Sequence, residues 1–197
     1  MRSRLAGALL TIVTLGALLA GPVWAETERW TVEGGKSRAG FDAFHRWGDF
    51  SGSSETPSGE VELDIKDLKR PVTGHLTVPV ASLRTGKAGR DRDLRRALDG
   101  ERHPEIRYRI DKVDPSFSSL AENTDVLLTI HGVLTMRGVE RPVSFMGRVR
   151  LREGTLWVRG ENRIRPADFG VPPLRSWLVA MKEHVLATFD LVLRKSE

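Results

Sequence analysis

Most of the chain alternates between apolar and polar residues with a period of two. Ala39, Phe41 and Ala43 are spaced by Gly40 and Asp42; Val61, Leu63 and Ile65 by Glu62 and Asp64; Leu76, Val78 and Val80 by Thr77 and Pro79. The pattern continues with Ile106, Tyr108 and Ile110, then Val126, Leu128 and Ile130, then Val143, Phe145, Gly147, Val149 and Leu151. Leu156 and Val158 follow, and Val185, Ala187, Phe189, Leu191 and Leu193 close the series. Alternation of this kind predicts half-buried strands, because successive strand side chains point to opposite faces. With a segment around Phe50, the count is eight or nine strands.

Polar, Gly- and Pro-containing stretches at 53–59, 67–74, 114–125 and 152–155 predict the turns between them. Connections this short imply antiparallel pairing, since parallel pairing requires long crossovers. One interior stretch reads as helix: in GRDRDLRRALDGERHPE, Asp91 or Asp93 caps the start, Leu94, Ala97 and Leu98 form a stripe, and Gly100 and Pro104 end it. An all-β body with one oily strand face is either a closed barrel or a two-sheet sandwich. Residues 82–105, with the short helix, predict a flap over one end. A closed eight-strand barrel has room inside for side chains or one small ligand.

The first 25 residues change the picture of where this body works. Arg2 and Arg4 precede an apolar run from Leu5 to Ala20, then Gly21, Pro22 and the small-residue ending Val23-Trp24-Ala25. This three-part layout predicts a cleaved secretory signal peptide over 1–25, and a periplasmic or secreted domain over 26–197. Losing the two arginines lowers the formal charge from +5 to +3. There is no cysteine, so neither disulfides nor thiol redox chemistry is available. The basic residues are spread along the chain rather than gathered in a stripe with stacking aromatics, which argues against nucleic acid and leaves transient contact with an anionic membrane surface open.

Candidate chemistry is sparse. The five histidines, His45, His75, His103, His131 and His184, show no metal-ligand spacing, so no metal is expected. His75, His131 and His184 fall on outward or edge strand positions and His103 in a turn, whereas His45 continues an apolar face toward a barrel rim. No Gly-x-Ser-x-Gly elbow is present. The stretch LTIHGVLTMRGVERPVSF (128–145) has two glycines, but strand pattern on both sides excludes a phosphate loop, which needs a helix after it. It reads as a strand-to-strand turn, with Gly138 at positive φ and Pro142 starting the next strand.

Taken in order, these pieces resemble the YceI-like family of exported lipocalin-like proteins. Trp30, Ser37, Phe41 and His45 match its opening run; GDFSG, VPVASLRTG, RDRDLRRAL with HPEIRY, GVLTMRGVERPVSF, ADFGV and HVLATFDLVL follow in family order. Two departures stand out: Glu33-Gly34-Gly35-Lys36 replaces an Asp-x-x-His before Ser37, and the connection 48–59 is short and serine-rich. The resemblance implies a single eight-stranded antiparallel lipocalin-like β-barrel with a short helix-containing flap. It implies binding rather than catalysis, with the apolar tail of a polyisoprenoid, an isoprenoid quinone-like lipid or a similar long-chain amphiphile inside, no required cofactor, and a homodimer as an open option.

On that reading the lining candidates are Phe41, Val61, Leu63, Leu76, Val78, Val80, Ile106, Tyr108, Ile110, Phe145, Val158 and Phe189. The rim or flap candidates are His45, Leu94, Leu98, Phe169 and Trp177, and the Tyr108 hydroxyl is a candidate for a head group. Two other readings stay open: an exported hydrolase or isomerase using His45 or His131, and a filled-barrel interaction protein.

Overall fold

The alternation resolves into ten strand segments in the computed structural model, which describes residues 27–45, 49–172 and 181–196. In chain order these are β1 (Glu28–Val32), β2 (Arg38–His45), β3 (Phe50–Ser54), β4 (Ser58–Leu63) and β5 (Thr73–Pro79). A helix, α1 (Ala88–Ala97), precedes β6 (Glu105–Pro115), β7 (Asp125–Met136), β8 (Val139–Arg152), β9 (Thr155–Ile164) and β10 (Met181–Lys195). The predicted leader 1–25 and Trp177 lie outside the described residues, and His45 is described by its backbone alone.

All pairings between strands are antiparallel, and they close. The order runs β1-β4-β5-β6-β7-β8-β9-β10, and β10 returns to β1. β10 is long enough to pair with β1 at one end (Trp30 opposite Lys195) and with β2 at the other (Phe41 opposite Ala187). β4 pairs with β1 and β3 with β2 in the same way. β1 with β2, and β3 with β4, are therefore the halves of two interrupted strands, and ten segments make an eight-stranded barrel.

The interruptions correct one expectation. Residues 53–59 are not a turn between neighbours but a kink within one wall strand, placed beside the Gly34–Lys36 kink by a Gly35 N–H to Glu55 carbonyl bond of 2.9 Å. Ser37 mends the gap this leaves: its hydroxyl accepts from the Val192 N–H at 3.0 Å and lies 3.3 Å from the Val192 carbonyl. A strand that must bend within a curved sheet needs such a break, and the hydroxyl satisfies the Val192 N–H, while the Val192 carbonyl also accepts from the Glu33 N–H at 2.8 Å.

Two of the predicted turns form with φ positive at both central residues, Arg137-Gly138 (53° and 74°) and Glu153-Gly154 (50° and 66°), the conformation that matches strand twist in two-residue hairpins. Pro142 does not start β8; it lies three residues in. The position tolerates it because the β8–β9 ladder begins only at Met146 opposite Glu161, although β8 starts at Val139 and β9 continues to Ile164. A 3-10 turn, Pro166–Phe169, packs against β8 and β10 at this parting, with Phe169 2% exposed.

α1 also departs from expectation at its start. The N-cap is Lys87, with no side-chain cap, and Asp91 lies within the first turn, three residues past the helix start at Ala88. There its carboxylate accepts from both the N–H and the hydroxyl of Thr85. The Thr85 hydroxyl bond does most to hold this carboxyl below its ordinary range; burial opposes it, and the Thr85 N–H adds to the lowering. The bond ties the loop before α1 to the helix, and the helix is seated through Leu94, Ala97 and Leu98.

Candidate functional site

The inward strand faces do not fill the barrel. Among the described residues they leave two apolar cavities, one of about 150 Å³ beneath α1 and one of about 100 Å³ toward the far end. The upper cavity is lined from the strands by Phe41, Val78, Ile106, Leu134, Phe145 and Val185, and from above by Leu83, Leu94, Ala97 and Leu98. Val61, Leu63, Ile110, Leu128, Val158 and Leu193 line the lower one, and the loop residues Leu68, Val72 and Leu120 floor it.

Leu76, Tyr108 and Phe189 face both cavities and therefore separate them. Tyr108, Phe145 and Phe189 form a continuous aromatic group, with ring centroids 5.1 Å and 5.3 Å apart in edge-to-face geometry. Two glycines make room for it. A Cβ at Gly132 would lie 2.8 Å from Tyr108 Cζ, and one at Gly160 would overlap the Phe189 ring. The partition is made of side chains alone, while the backbone stays in the wall.

The Tyr108 hydroxyl is committed within this partition. It lies 2.9 Å from the carbonyl oxygens of both Ile130 and Val143 and donates its one proton to them. Burial raises the phenol above its ordinary pKa, so it remains a neutral donor. That corrects the head-group role suggested for Tyr108: the hydroxyl sits at mid-barrel, already partnered.

Eleven of the twelve predicted lining residues do face one cavity or the other, and Leu94 and Leu98 form part of the upper roof. The exception is Val80, which leaves the strand in a 3-10 turn (Val80–Ser82) and packs under Gly100. Phe169 is buried at the β8–β9 parting and faces neither cavity. Pattern reading overlooked Leu134 and Met136, which extend the β7 alternation beyond Ile130, and the floor residues, which sit in loops where no periodicity marks them.

Outside the barrel, His131 bridges two partners across β6, β7 and β8. One ring nitrogen, Nδ1, is 2.8 Å from the Ser144 hydroxyl and the other, Nε2, is 2.9 Å from Asp114. The Asp114 carboxyl is held below its ordinary range, first by a bond from Lys112 and then by His131. A wide groove of about 900 Å³ lies beside this row, with Leu127 (63% exposed) and Met146 (69% exposed) in it and Arg38, Arg148 and Arg159 around it. Among the described residues, no group of three His, Asp or Glu side chains converges as a metal-binding site.

The model of the YceI-like domain matches residues 30–193. The chain belongs to the YceI-like family. Comparison with curated protein sequences finds no match. Among solved structures, Burkholderia cenocepacia BcnA superposes with a TM-score of 0.69 at 20% identity, covering 82% of this chain and 98% of that one. A polyisoprenoid-binding domain from Saccharophagus degradans, implicated in plant cell wall breakdown, gives 0.68 at 16% identity, covering 85% and 98%. The YceI protein of Campylobacter jejuni gives 0.57 at 13%, covering 74% and 84%. At these identities the likeness is one of fold, and the YceI-like barrel is the fold found here.

Proposed function

We propose that this YceI-like protein is an exported binding protein that holds the apolar tail of a polyisoprenoid or similar long-chain amphiphile, for carriage, storage or sequestration. The observation that carries the reading is the pair of apolar chambers set end to end, divided by side chains and roofed by an amphipathic helix. Family membership and the polyisoprenoid-binding domain among the structural neighbours support it, and residues 1–25 support export.

The physics sets a condition on the ligand. A void of about 150 Å³ takes roughly a six-carbon ring, so each chamber as it stands holds about one isoprene unit. Burying a methylene contributes about 0.8 kcal/mol, and a tail of about twenty carbons contributes roughly 15 kcal/mol against association costs of about 4 to 15 kcal/mol. Useful affinity thus requires a long tail, and a long tail requires the Leu76–Tyr108–Phe189 partition to swing aside. Organic extraction of protein purified from its producing cells, followed by mass spectrometry, should recover a long-chain amphiphile. Protein that retains none, and takes up none when offered, contradicts the reading.

A second reading, a hydrolase using His131, has the Ser144–His131–Asp114 row in its favour. Ser144 stands on an open strand face rather than on a sharp turn, which favours a structural bridge. A fluorophosphonate probe decides between them: labelling that Ser144→Ala abolishes supports the hydrolase.

A further inference from the structure

The roof of the upper chamber has an outer face with a chemistry of its own. Between Lys87 and Leu98 lie five basic residues (Lys87, Arg90, Arg92, Arg95, Arg96) and two acids (Asp91, Asp93), and the flanking Arg84, Asp99, Glu101 and Arg102 add no net charge. Both acids are engaged: Asp91 is buried against Thr85, with Arg95 and Arg84 as its nearest charges, and Asp93 pairs with Arg96 at 3.2 Å. Arg90 stacks over Phe50 at 4.1 Å. Lys87, Arg92 and Arg96 are exposed.

This placement runs against the helix's own electrostatics. Lys87, Arg90 and Arg92 crowd the N-terminal end, where the helix dipole favours anions and Asp91 is the one acid in the first turn. An external anion relieves that repulsion. The inner face of the same helix is apolar and covers the cavity, and among the described residues no backbone hydrogen bond joins 86–103 to the strands.

We propose that the outer face of α1 docks on a bilayer of anionic lipids, and that the helix is the lid through which a tail passes from that bilayer into the upper chamber. The docking surface stands on charge alone; its purpose rests on the tail-binding reading above. Near an anionic leaflet each Lys or Arg strengthens binding about fivefold, and the attraction falls as salt screens it.

The test is flotation of the full exported chain with phosphatidylcholine vesicles, with and without phosphatidylglycerol. The native protein should float with the anionic vesicles far more than with the neutral ones, and less as salt rises. Lys87→Gln with Arg92→Gln should weaken that binding about 25-fold, whereas Arg148→Gln with Arg150→Gln on the barrel wall, an equal change in charge, should leave most of it. Equal flotation with both vesicle types, or equal losses in the two double variants, overturns the proposal. Uptake of a fluorescent long-chain probe without vesicles separates the two readings. It should be the same in the α1 variant as in the native protein, and a native protein that docks but takes up no probe would refute tail binding while leaving the docking face intact.

Discussion

The two ends of the barrel interior are closed in different ways. The floor of the lower chamber is two loops sewn to each other by backbone, Leu120 N–H bonding the Ile65 carbonyl and Leu68 N–H the Ser118 carbonyl, and fastened to β8 where Glu122 bridges to Leu151. The roof of the upper chamber is tied to β3 before α1, where Arg84 and Ser53 exchange two backbone bonds of 2.9 Å, and α1 itself rests on the Thr85–Asp91 bond, the Arg90–Phe50 stack and apolar contacts. A floor cross-linked by backbone bonds opens less readily than a helix that, beyond the Arg84 tie, is held by side-chain contacts and can open locally at lower cost. On the tail-binding proposal, the difference sets entry under α1 and a stop at Leu68 and Leu120.

The largest expected effect comes from removing the wall between the chambers. Phe189→Ala joins them into one void at a stability cost of about 3–5 kcal/mol, read by denaturant unfolding. If the partition is what a tail displaces, the variant should gain affinity for long-chain probes relative to short ones. A proportionate loss for every chain length would instead make Phe189 plain core.

Next comes the lid anchor. Asp91→Ala leaves the Thr85 N–H and hydroxyl without their acceptor, and such an orphaned pair costs about 1–3 kcal/mol. Hydrogen exchange should quicken across 88–97 while the floor at 64–72 stays protected. The same anchor sets a pH dependence. Because the Asp91 carboxyl is lowered on folding, its stabilisation is fully present above the unfolded value of about 3.9, and is lost as pH falls through the lower folded value. Exchange at 88–97 should therefore quicken only in acid below about pH 4, and in Asp91→Ala this acid step should disappear.

The smallest effect is at the partition's hydrogen bond. Tyr108→Phe keeps the ring and removes the donor to Ile130 and Val143, for a loss of about 1 kcal/mol. Tail binding should survive it, because the hydroxyl faces two carbonyls rather than a chamber mouth; loss of binding with an unchanged melting point would restore a ligand role to Tyr108.

The contrast between the two ends also explains what the sequence made legible. The walls were readable because alternation is local: Ile106, Tyr108 and Ile110 declare one face without knowledge of any partner. The closed eight-strand order was readable only through family resemblance, since period two suits a barrel and a sandwich equally. The kink at 53–59 looked like a hairpin turn, because Gly, Ser and Pro mark a change of chain direction without saying whether the strand reverses or resumes. Asp91 looked like a cap because its composition and position fit one, and its true partner, Thr85, lies outside the window that a capping rule scans. The floor residues Leu68, Val72 and Leu120 gave no signal at all, as loops carry no period. The division of the interior into two chambers depends on Leu76, Tyr108 and Phe189 meeting from β5, β6 and β10, a long-range fact.

The central claim, that a tail lies in the barrel and reaches past the partition, is tested most directly by a long-chain amphiphile carrying a photoactivatable diazirine at its tail end. After illumination and peptide mapping, the label is predicted on lower-chamber residues such as Val61, Leu128 and Val158. Label on Leu127 and Met146 of the outer groove, or none above the level seen with a short-chain probe, would contradict it.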